Sequence, residues 1–204
     1  RGLGVEEYGL FTIAVMIIRI FITFSALGLS EGILRYVSYY RGLNDNERIK
    51  GTLIFSFITT FLSSIIITII LFFSSDYIAT YWFNSGELIH VLKIFILIIP
   101  IGVLATNFVN LNLAYEKVKY NFWLIDISLQ SLRVLTIGFA VLFGLGILGV
   151  SYFYLISFFI ILILMFLISE YKVFPLLKSK IKAKFEIFEL FSYSWPLIFV
   201  GLLD

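Results

Sequence analysis

Two long stretches of this chain contain no charged residue. Val134 to Ser169 is a run of 36 residues without Asp, Glu, Lys or Arg, and Thr52 to Ser75 is a second run of 24. About 20 apolar residues cross the roughly 30 Å hydrocarbon core of a bilayer as a helix. The whole chain is 61% hydrophobic and 14% charged, whereas soluble domains are about half apolar and a quarter charged. The pattern predicts a membrane protein and excludes a water-soluble fold.

Runs of this length recur along the chain and predict an all-α, polytopic transmembrane helical bundle. A single helix over the longer run would be about 54 Å long, too long for one crossing, so the glycines at its middle are expected to break it. The runs do not alternate with a period of two, which excludes the strands of an outer-membrane barrel. The predicted segments are a transmembrane bundle at 1–170 with five spans (9–29, 52–75, 94–114, 121–143 and 150–169), a cytoplasmic basic linker at 171–190 and the start of a truncated sixth span at 191–204.

The distribution of lysine and arginine predicts the orientation of the bundle. Eleven of the 15 Lys and Arg residues follow the first, third and fifth spans, which places them on one side of the membrane. Because cytoplasmic loops carry an excess of Lys and Arg, this side is predicted to be cytoplasmic. We therefore expect a multi-pass protein of the plasma membrane. Its linker alternates lysines with smaller residues from Lys178 to Lys184 and is expected to lie on anionic membrane lipid.

Several classes of functional site lack the residues that they need. The chain has no cysteine, which removes disulfides, thiol nucleophiles and thiolate metal sites. His90 is the single histidine and has no ligand-spaced partner, so no metal site is predicted. Gly144 to Gly149 matches GxGxxG, but its flanks are apolar and helix-length, which indicates a hairpin turn and not a dinucleotide site. No cofactor is expected, and the net charge of +2 gives no indication of a nucleic-acid partner.

Charged and amide side chains inside the spans are the most informative residues. A charge at the centre of a bilayer costs about 2.5 to 3.5 kcal/mol on insertion scales, so it usually faces a protein interior or a watery cavity. The first span holds one charge at mid-depth, the fourth places three polar side chains on one helical face, and the third contains two asparagines. The predicted substrate-binding cavity residues are Arg19, Arg133, Asp126, Gln130, Asn107 and Asn110.

Two interpretations of these intramembrane residues remain open. Arg19 continues at helical spacing into Thr23, Ala26 and Ser30, and similar polar stripes in other spans favour a shared hydrated interior. Alternatively, Arg19 and Asp126 form an interhelical ion pair that locks the bundle. At 1.5 Å rise per residue, they lie about 15 Å and about 8 Å from the cytoplasmic boundary, within reach of one another for a long arginine side chain.

Three segments resemble polysaccharide and oligosaccharide-lipid flippases of the multidrug/oligosaccharidyl-lipid/polysaccharide exporter superfamily. They are the opening RGLGVEEYGLF at Arg1 to Phe11, ALGLSEGILRY at Ala26 to Tyr36, and LFSYSWPL at Leu190 to Leu197. The similarity extends over essentially the whole chain. One departure is Val5, where the family usually has proline, in a loop.

The resemblance implies a MATE-like transporter of two six-helix lobes related by an axis along the membrane normal. This chain is then an interior fragment with most of the N-terminal lobe, and its partner is the missing C-terminal lobe of the same protein. The implied function is flipping of a lipid-linked oligosaccharide from the cytoplasmic to the outer leaflet. Arginines would bind the anionic head group bidentately. No bond is made or broken, so the resemblance implies neither enzyme activity nor catalytic residues.

Three alternative functions are compatible with a polytopic bundle. A cation-coupled multidrug exporter would use Asp126 as its ion site, although two intramembrane arginines against one aspartate favour an anionic substrate. A membrane glycosyltransferase or polymerase would commonly need a sizeable domain outside the membrane, and the loops here are short. A scaffold without transport is the third alternative.

Overall fold

The computed structural model of the chain describes residues 4–121, 130–177 and 179–198, and within these residues every regular element is a helix. The helix Gly146–Ile168 continues as a π-helical turn, Ser169–Val173, and the helix Asn46–Tyr77 continues in the same way through Ile78–Trp82. The helices are α1 (Val5–Ala26), α2 (Leu29–Gly42), α3 (Asn46–Tyr77), α4 (Glu87–Ile96), α5 (Ile98–Ala114), α6 (Val118–Asn121), α7 (Gln130–Leu142), α8 (Gly146–Ile168) and α9 (Ile187–Ser194).

Four helical segments of the described residues are long and apolar enough to cross a membrane. They are Glu6–Ala26, Asn46–Trp82, Glu87–Ala114 and Gly146–Val173. The prediction of an all-α polytopic membrane bundle is therefore confirmed. The first half of the predicted span at 121–143 lies mostly outside the described residues. Its second half corresponds to α7.

Helices α1 and α3 begin before the predicted spans because polar residues cap them outside the apolar stretches. The carboxylate of Asp45 accepts a hydrogen bond from the amide of Arg48 at 3.0 Å, which satisfies a free donor in the first turn of α3. At the start of α1, the Glu7 carboxylate accepts from the Gly4 amide at 3.1 Å. Hydropathy marks only the part of each helix that suits lipid, so it finds a shorter segment than the helix itself.

A sharp break divides the first long helix into α1 and α2. Leu27 and Gly28 both have left-handed backbone conformations, with φ of 51° and 66°. Two successive residues of this kind end the regular helical phase, and glycine adopts the conformation without the steric cost of a Cβ. The side chains of α2 therefore do not continue the faces of α1.

Helix α5 lies at the centre of the bundle and packs against α1, α2, α3 and α8. In the span formed by α4 and α5, 56% of the most apolar stretch is buried, against 22% to 28% in the other three spans. One hydrophobic core surrounds Phe95 and Leu88, and a second surrounds Tyr40 and Ile49. The second core lies at the end of the bundle that carries the α2–α3 loop, residues 43–45. We call this end the basic end.

The orientation of the bundle is a prediction that the absence of native cysteine in this chain makes easy to test. A cysteine at Ser85, in the loop before α4, is expected to react with an impermeant maleimide added to intact cells. A cysteine at Leu43, exposed in the loop between α2 and α3, is expected to react only after the membrane is permeabilised. The measurement uses the full-length protein with no other cysteine, and the reverse pattern would invert the predicted topology.

Candidate functional site

A cavity of about 490 Å³ lies inside the bundle between α1, α5 and α8. Gly102 shows the close approach of two of these helices, since a Cβ at this position would contact the Ile22 side chain of α1. The described lining residues are mostly apolar: Val15, Ile18, Arg19, Ile22, Phe95, Ile98, Gly102, Ala105, Thr106, Val109, Tyr154, Phe158, Ile161 and Met165.

Arg19 is the only charged side chain among the described residues that line this cavity. Its side chain is exposed and forms no ion pair with any acidic residue in the described part of the chain. Its backbone carbonyl accepts a hydrogen bond from the Thr23 hydroxyl at 3.3 Å. A guanidinium that is not neutralised within a low-dielectric region attracts an anion strongly and donates to it through a planar fork.

The end of the cavity farthest from the basic end is lined by aromatic rings. The rings of Phe95 and Tyr154 are stacked, with centroids 5.2 Å apart and an interplanar angle of 16°. Phe11 packs edge-on against both, at 5.4 Å and 5.3 Å. Edge-to-face and stacked pairs stabilise a cluster beyond the burial of their area. These rings give the cavity a rigid apolar wall at this end.

Towards the basic end, the cavity adjoins a smaller one of about 170 Å³, and both are lined by Ile22 and Thr106. Thr23, Gly28 and Glu31 line the smaller cavity, together with two residues beyond α9, Leu197 and Ile198. Arg19 is on α1 and Glu31 is on α2, so the two residues lie on either side of the break at Leu27 and Gly28. The two cavities thus form a cleft with polar side chains along it, from mid-bundle to the basic end.

Asn107 lies on α5 and joins three helices through its side-chain amide. The hydroxyl of Ser30 on α2 donates to Asn107 Oδ1 at 2.7 Å, and Asn107 Nδ2 donates to Thr60 Oγ1 on α3 at 2.8 Å. The Thr60 hydroxyl in turn donates to the Ser56 carbonyl at 2.8 Å. All four residues have a relative exposure of 0%. In this arrangement, Asn107 connects helices and is not part of the cavity lining.

Replacing Asn107 with leucine is expected to destabilise the bundle by about 1 to 3 kcal/mol. The change removes two interhelical hydrogen bonds, each worth about 0.6 to 1.7 kcal/mol between membrane helices, and leaves two hydroxyls without this partner. The apparent melting temperature of the detergent-solubilised full-length protein measures the effect. Asn46→Ala, at an exposed position, is the control, and equal melting of Asn107→Leu and Asn46→Ala would contradict a structural role.

The polar stripe predicted along the first span is interrupted in the structure. Thr23 and Ala26 lie along the cleft with Arg19, as helical spacing predicts. Ser30 instead turns inward to Asn107, because the left-handed residues Leu27 and Gly28 change the helical phase before it. Among the described residues, these polar side chains lie in a cleft along α1 and in a separate packed cluster around Asn107. A hydrated interior shared with the fourth span stays a prediction, because the predicted cavity residues of that span have side chains outside the described ones.

Of the four remaining predicted site residues, the structure describes the side chain of one, Asn110. Asn110 lies on α5 with a relative exposure of 9% and does not line the cavity. Gln130 and Arg133 are on α7, which packs against α8, but their side chains lie outside the described ones. Asp126 lies outside the described residues. Their roles as substrate contacts, and the Arg19–Asp126 ion pair, stay predictions.

The structure adds residues that sequence reasoning missed. Thr106 lines both cavities, and Glu31 lines the smaller one near the basic end. The Gly102-x-x-x-Thr106 spacing, with two small residues on one face of α5, is the sequence feature that indicates a close helix approach there. The aromatic wall carries no such indication, because Phe11, Phe95 and Tyr154 come from three distant segments.

The described residues of the cleft offer groups that can bind a ligand. No group of three or more His, Cys, Asp or Glu side chains among the described residues could hold a metal ion. Among its described residues are the guanidinium of Arg19, the carboxylate of Glu31, hydroxyl groups and apolar walls, and the guanidinium lies in the larger, mostly apolar cavity. This combination suits an amphiphile with an anionic group, because the cation and the apolar surface are adjacent.

The family of the chain follows from comparison with known proteins. The model of one family, described as "Polysaccharide biosynthesis protein", matches residues 1–203. No curated protein and no solved structure matches the chain. The family match confirms the resemblance that the three sequence motifs indicated. Since the match spans nearly all of its 204 residues, this membrane protein belongs to the polysaccharide biosynthesis protein family.

Proposed function

We propose that the chain is part of a transporter that flips a lipid-linked oligosaccharide or polysaccharide precursor from the cytoplasmic to the outer leaflet of the plasma membrane. The observation that carries the proposal is the guanidinium of Arg19, the one charged group among the described residues that line the cavity of this bundle. Membership of the polysaccharide biosynthesis family supplies the class of substrate. In the proposed cycle, the protein moves its substrate without making or breaking a bond.

The physical problem of such a transporter is an anionic, hydrated head group that cannot enter hydrocarbon unaided. Transfer of an isolated charge into a medium of low dielectric constant costs many kcal/mol unless it is paired and hydrogen-bonded. Arg19 offers a partner at mid-depth, and the hydroxyls of Thr23 and Thr106 lie along the same cleft. The apolar walls from α5 and α8 suit the lipid part of the substrate.

A reconstituted flipping assay with the full-length protein tests this proposal. Proteoliposomes carry a fluorescent lipid-linked oligosaccharide in one leaflet, and a membrane-impermeant lectin or quencher reports its arrival in the other. We expect time-dependent transfer of this lipid and no transfer of a fluorescent phosphatidylcholine. No transfer of any lipid-linked glycan would overturn the proposal.

The same preparation distinguishes the rival functions. A multidrug exporter would move an organic cation under a proton or sodium gradient and leave the glycolipid in place. A glycosyltransferase or polymerase would change the mass of the glycolipid, which mass spectrometry detects. Transfer with an unchanged mass and no dependence on an organic cation supports glycolipid flipping alone.

A further inference from the structure

An extended segment lies across the basic end of the bundle before α9. This segment, residues 179–186, we call the strap. The Lys184 amide donates to the Glu47 carbonyl at 2.9 Å, and the ammonium of Lys50 donates to the Ser179 carbonyl at 2.7 Å. Both contacts fasten the main chain of the strap to the first turns of α3. The strap is therefore held in one position by the bundle.

Two further features of α3 make the strap fit closely. Gly51 faces the backbone of Lys184, and a Cβ at this glycine would overlap the Lys184 carbonyl oxygen. The Arg48 guanidinium lies 3.3 Å from the Glu186 carboxylate. The ion pair is half-buried and fixes the end of the strap where α9 begins. Gly51 thus allows the main chains of α3 and the strap to meet, and the ion pair holds the C-terminal end of the strap against α3.

The side chains of the strap alternate between its two faces, as in any extended chain. Ile181 and Ala183 are half-buried against the bundle, whereas Lys180, Lys182 and Lys184 are exposed. None of these three ammonium groups forms an ion pair within the described residues. The strap thus presents a row of three cations on its outer face.

Acidic groups near this row do not neutralise it. Asp45 and Glu47 line an open pocket with Lys180 and Lys182. The Asp45 carboxylate, however, is engaged by Arg48 through an ion pair at 3.5 Å. Glu47 lies at no ion-pair distance from the lysines of the strap within the described residues. The outer face of the strap therefore keeps a net positive charge.

Apolar side chains follow the lysines directly. Phe185 and Phe188 have relative exposures of 49% and 86%. The contact between Gly51 and Lys184 sets their depth, since the uncharged stretch of α3 begins at the next residue, Thr52. The hydropathy of α3 therefore predicts that Lys184 lies where the bilayer interface meets the hydrocarbon, with the two phenyl rings on the hydrocarbon side. Lysines next to exposed aromatic rings are typical of segments that lie at a membrane interface.

We propose that the strap is a docking surface for anionic phospholipids, in which Lys180, Lys182 and Lys184 contact lipid phosphates and Phe185 and Phe188 enter the acyl region. A lipid fits better than a soluble anion, because the cations are continuous with exposed apolar rings at bilayer depth. Anchoring to α3 spares the strap most of the entropy cost of ordering on the membrane. The inference concerns the native membrane and is independent of what is transported.

Hydrogen exchange of the Lys184 amide tests the proposal, because this amide is bonded to Glu47 only while the strap is seated. The full-length protein is placed in nanodiscs of phosphatidylcholine, with or without phosphatidylglycerol. Each lysine near an anionic surface contributes roughly a fivefold gain, so exchange should slow on the order of 100-fold with phosphatidylglycerol. High salt should remove the difference.

Matched variants locate the effect on the strap. The variant with glutamine at all three strap lysines should lose the lipid dependence, whereas a control with the same loss of charge elsewhere on the basic side should keep it. The strap variant is K180Q/K182Q/K184Q, and the control is K117Q/K119Q/K172Q. If the strap variant does not fold, two other measurements replace it. K180R/K182R/K184R keeps the charges and should retain the dependence of exchange on phosphatidylglycerol, and wild type in high salt should lose it.

Three results would overturn the proposal. Equal exchange of wild type in both kinds of nanodisc would show that the strap does not sense anionic lipid. Equal loss in the control variant would assign the effect to overall charge. The same protection from inorganic phosphate in phosphatidylcholine nanodiscs would show a soluble-anion site. The flipping assay is separate, so failure here leaves the proposed transport function standing, and the reverse also holds.

Discussion

Arg19→Ala in the full-length protein is expected to lower the initial rate of glycolipid flipping on the order of 10- to 100-fold. A hydrogen bond to a charged group contributes about 1.5 to 3 kcal/mol, and the variant removes the one charged donor found in the described cavity lining. Arg19→Lys should recover only part of the rate, since it restores the charge but not the planar fork. The reconstituted assay measures both rates at equal protein content.

The control for this prediction is Met16→Ala. Met16 is exposed on the same helix and does not line the cavity, so its truncation should leave the flipping rate near that of wild type. Wild-type flipping by Arg19→Ala would show that the guanidinium is dispensable. Equal loss in Met16→Ala would assign the effect to α1 as a whole and not to the cavity.

The stability of Arg19→Ala separates substrate binding from the ion-pair interpretation. A cation that awaits an anionic substrate costs free energy in the empty protein, so its removal should leave the apparent melting temperature unchanged or raise it. If Arg19 instead pairs with Asp126, either single replacement leaves a buried charge and destabilises by about 3 to 5 kcal/mol. The charge-swapped double variant Arg19→Asp with Asp126→Arg would then recover the lost stability.

Gly28→Val is expected to destabilise the protein by roughly 2 to 5 kcal/mol, from overpacking and from a left-handed backbone. A Cβ at Gly28 would overlap the Ser194 carbonyl oxygen of α9, and one at Gly32 would lie 2.9 Å from Leu190 Cδ1. Gly28 therefore lets the start of α2 meet the backbone of α9, and Gly32 leaves room for the side chains of Leu190 and Ser194. The apparent melting temperature in detergent should fall by several degrees.

Gly9→Val is the matched control for this helix contact. Gly9 is a helical glycine on α1 with no atom within 4 Å of a built Cβ, so valine there should change the melting temperature little. The valine of Gly28→Val would also crowd the cleft, because Leu197 Cβ, which lies 3.2 Å from the Gly28 Cβ position, belongs to a residue that lines the smaller cavity. Unchanged melting of Gly28→Val would mean that α9 does not rest on this surface in the full-length protein.

How much of the fold could be predicted from sequence depends on the range of the interactions involved. Hydropathy is a local property of about 20 residues, so Thr52 to Ser75 identifies a membrane helix without knowledge of its neighbours. The hairpin turn after α7 was predicted from an equally local feature, the run of glycines, and Gly144 and Gly146 have positive φ there. The start of α3 at Asn46 was missed by six residues, since a polar cap contributes nothing to hydropathy.

The candidate site was predictable only in part. The cost of a charge in lipid pointed to Arg19 before any neighbour was known, and the structure places this side chain in the cavity. Asn107 met the same criterion of a polar residue inside a span, but its amide is bonded to two other helices. Whether an intramembrane polar side chain faces a cavity or another helix depends on its partners, which composition does not contain.

The sequence by itself determined that this is a membrane protein, its helical class and its family, and it named Arg19 among six candidate cavity residues. Only the tertiary structure decided which faces of the helices meet. Ser30 reaches Asn107 across 77 positions of sequence because the left-handed residues Leu27 and Gly28 shift the phase of α2, and the strap is seated because Gly51 has no side chain. Helical phase after a break and contacts between distant segments are set by packing, which no local pattern of residues specifies.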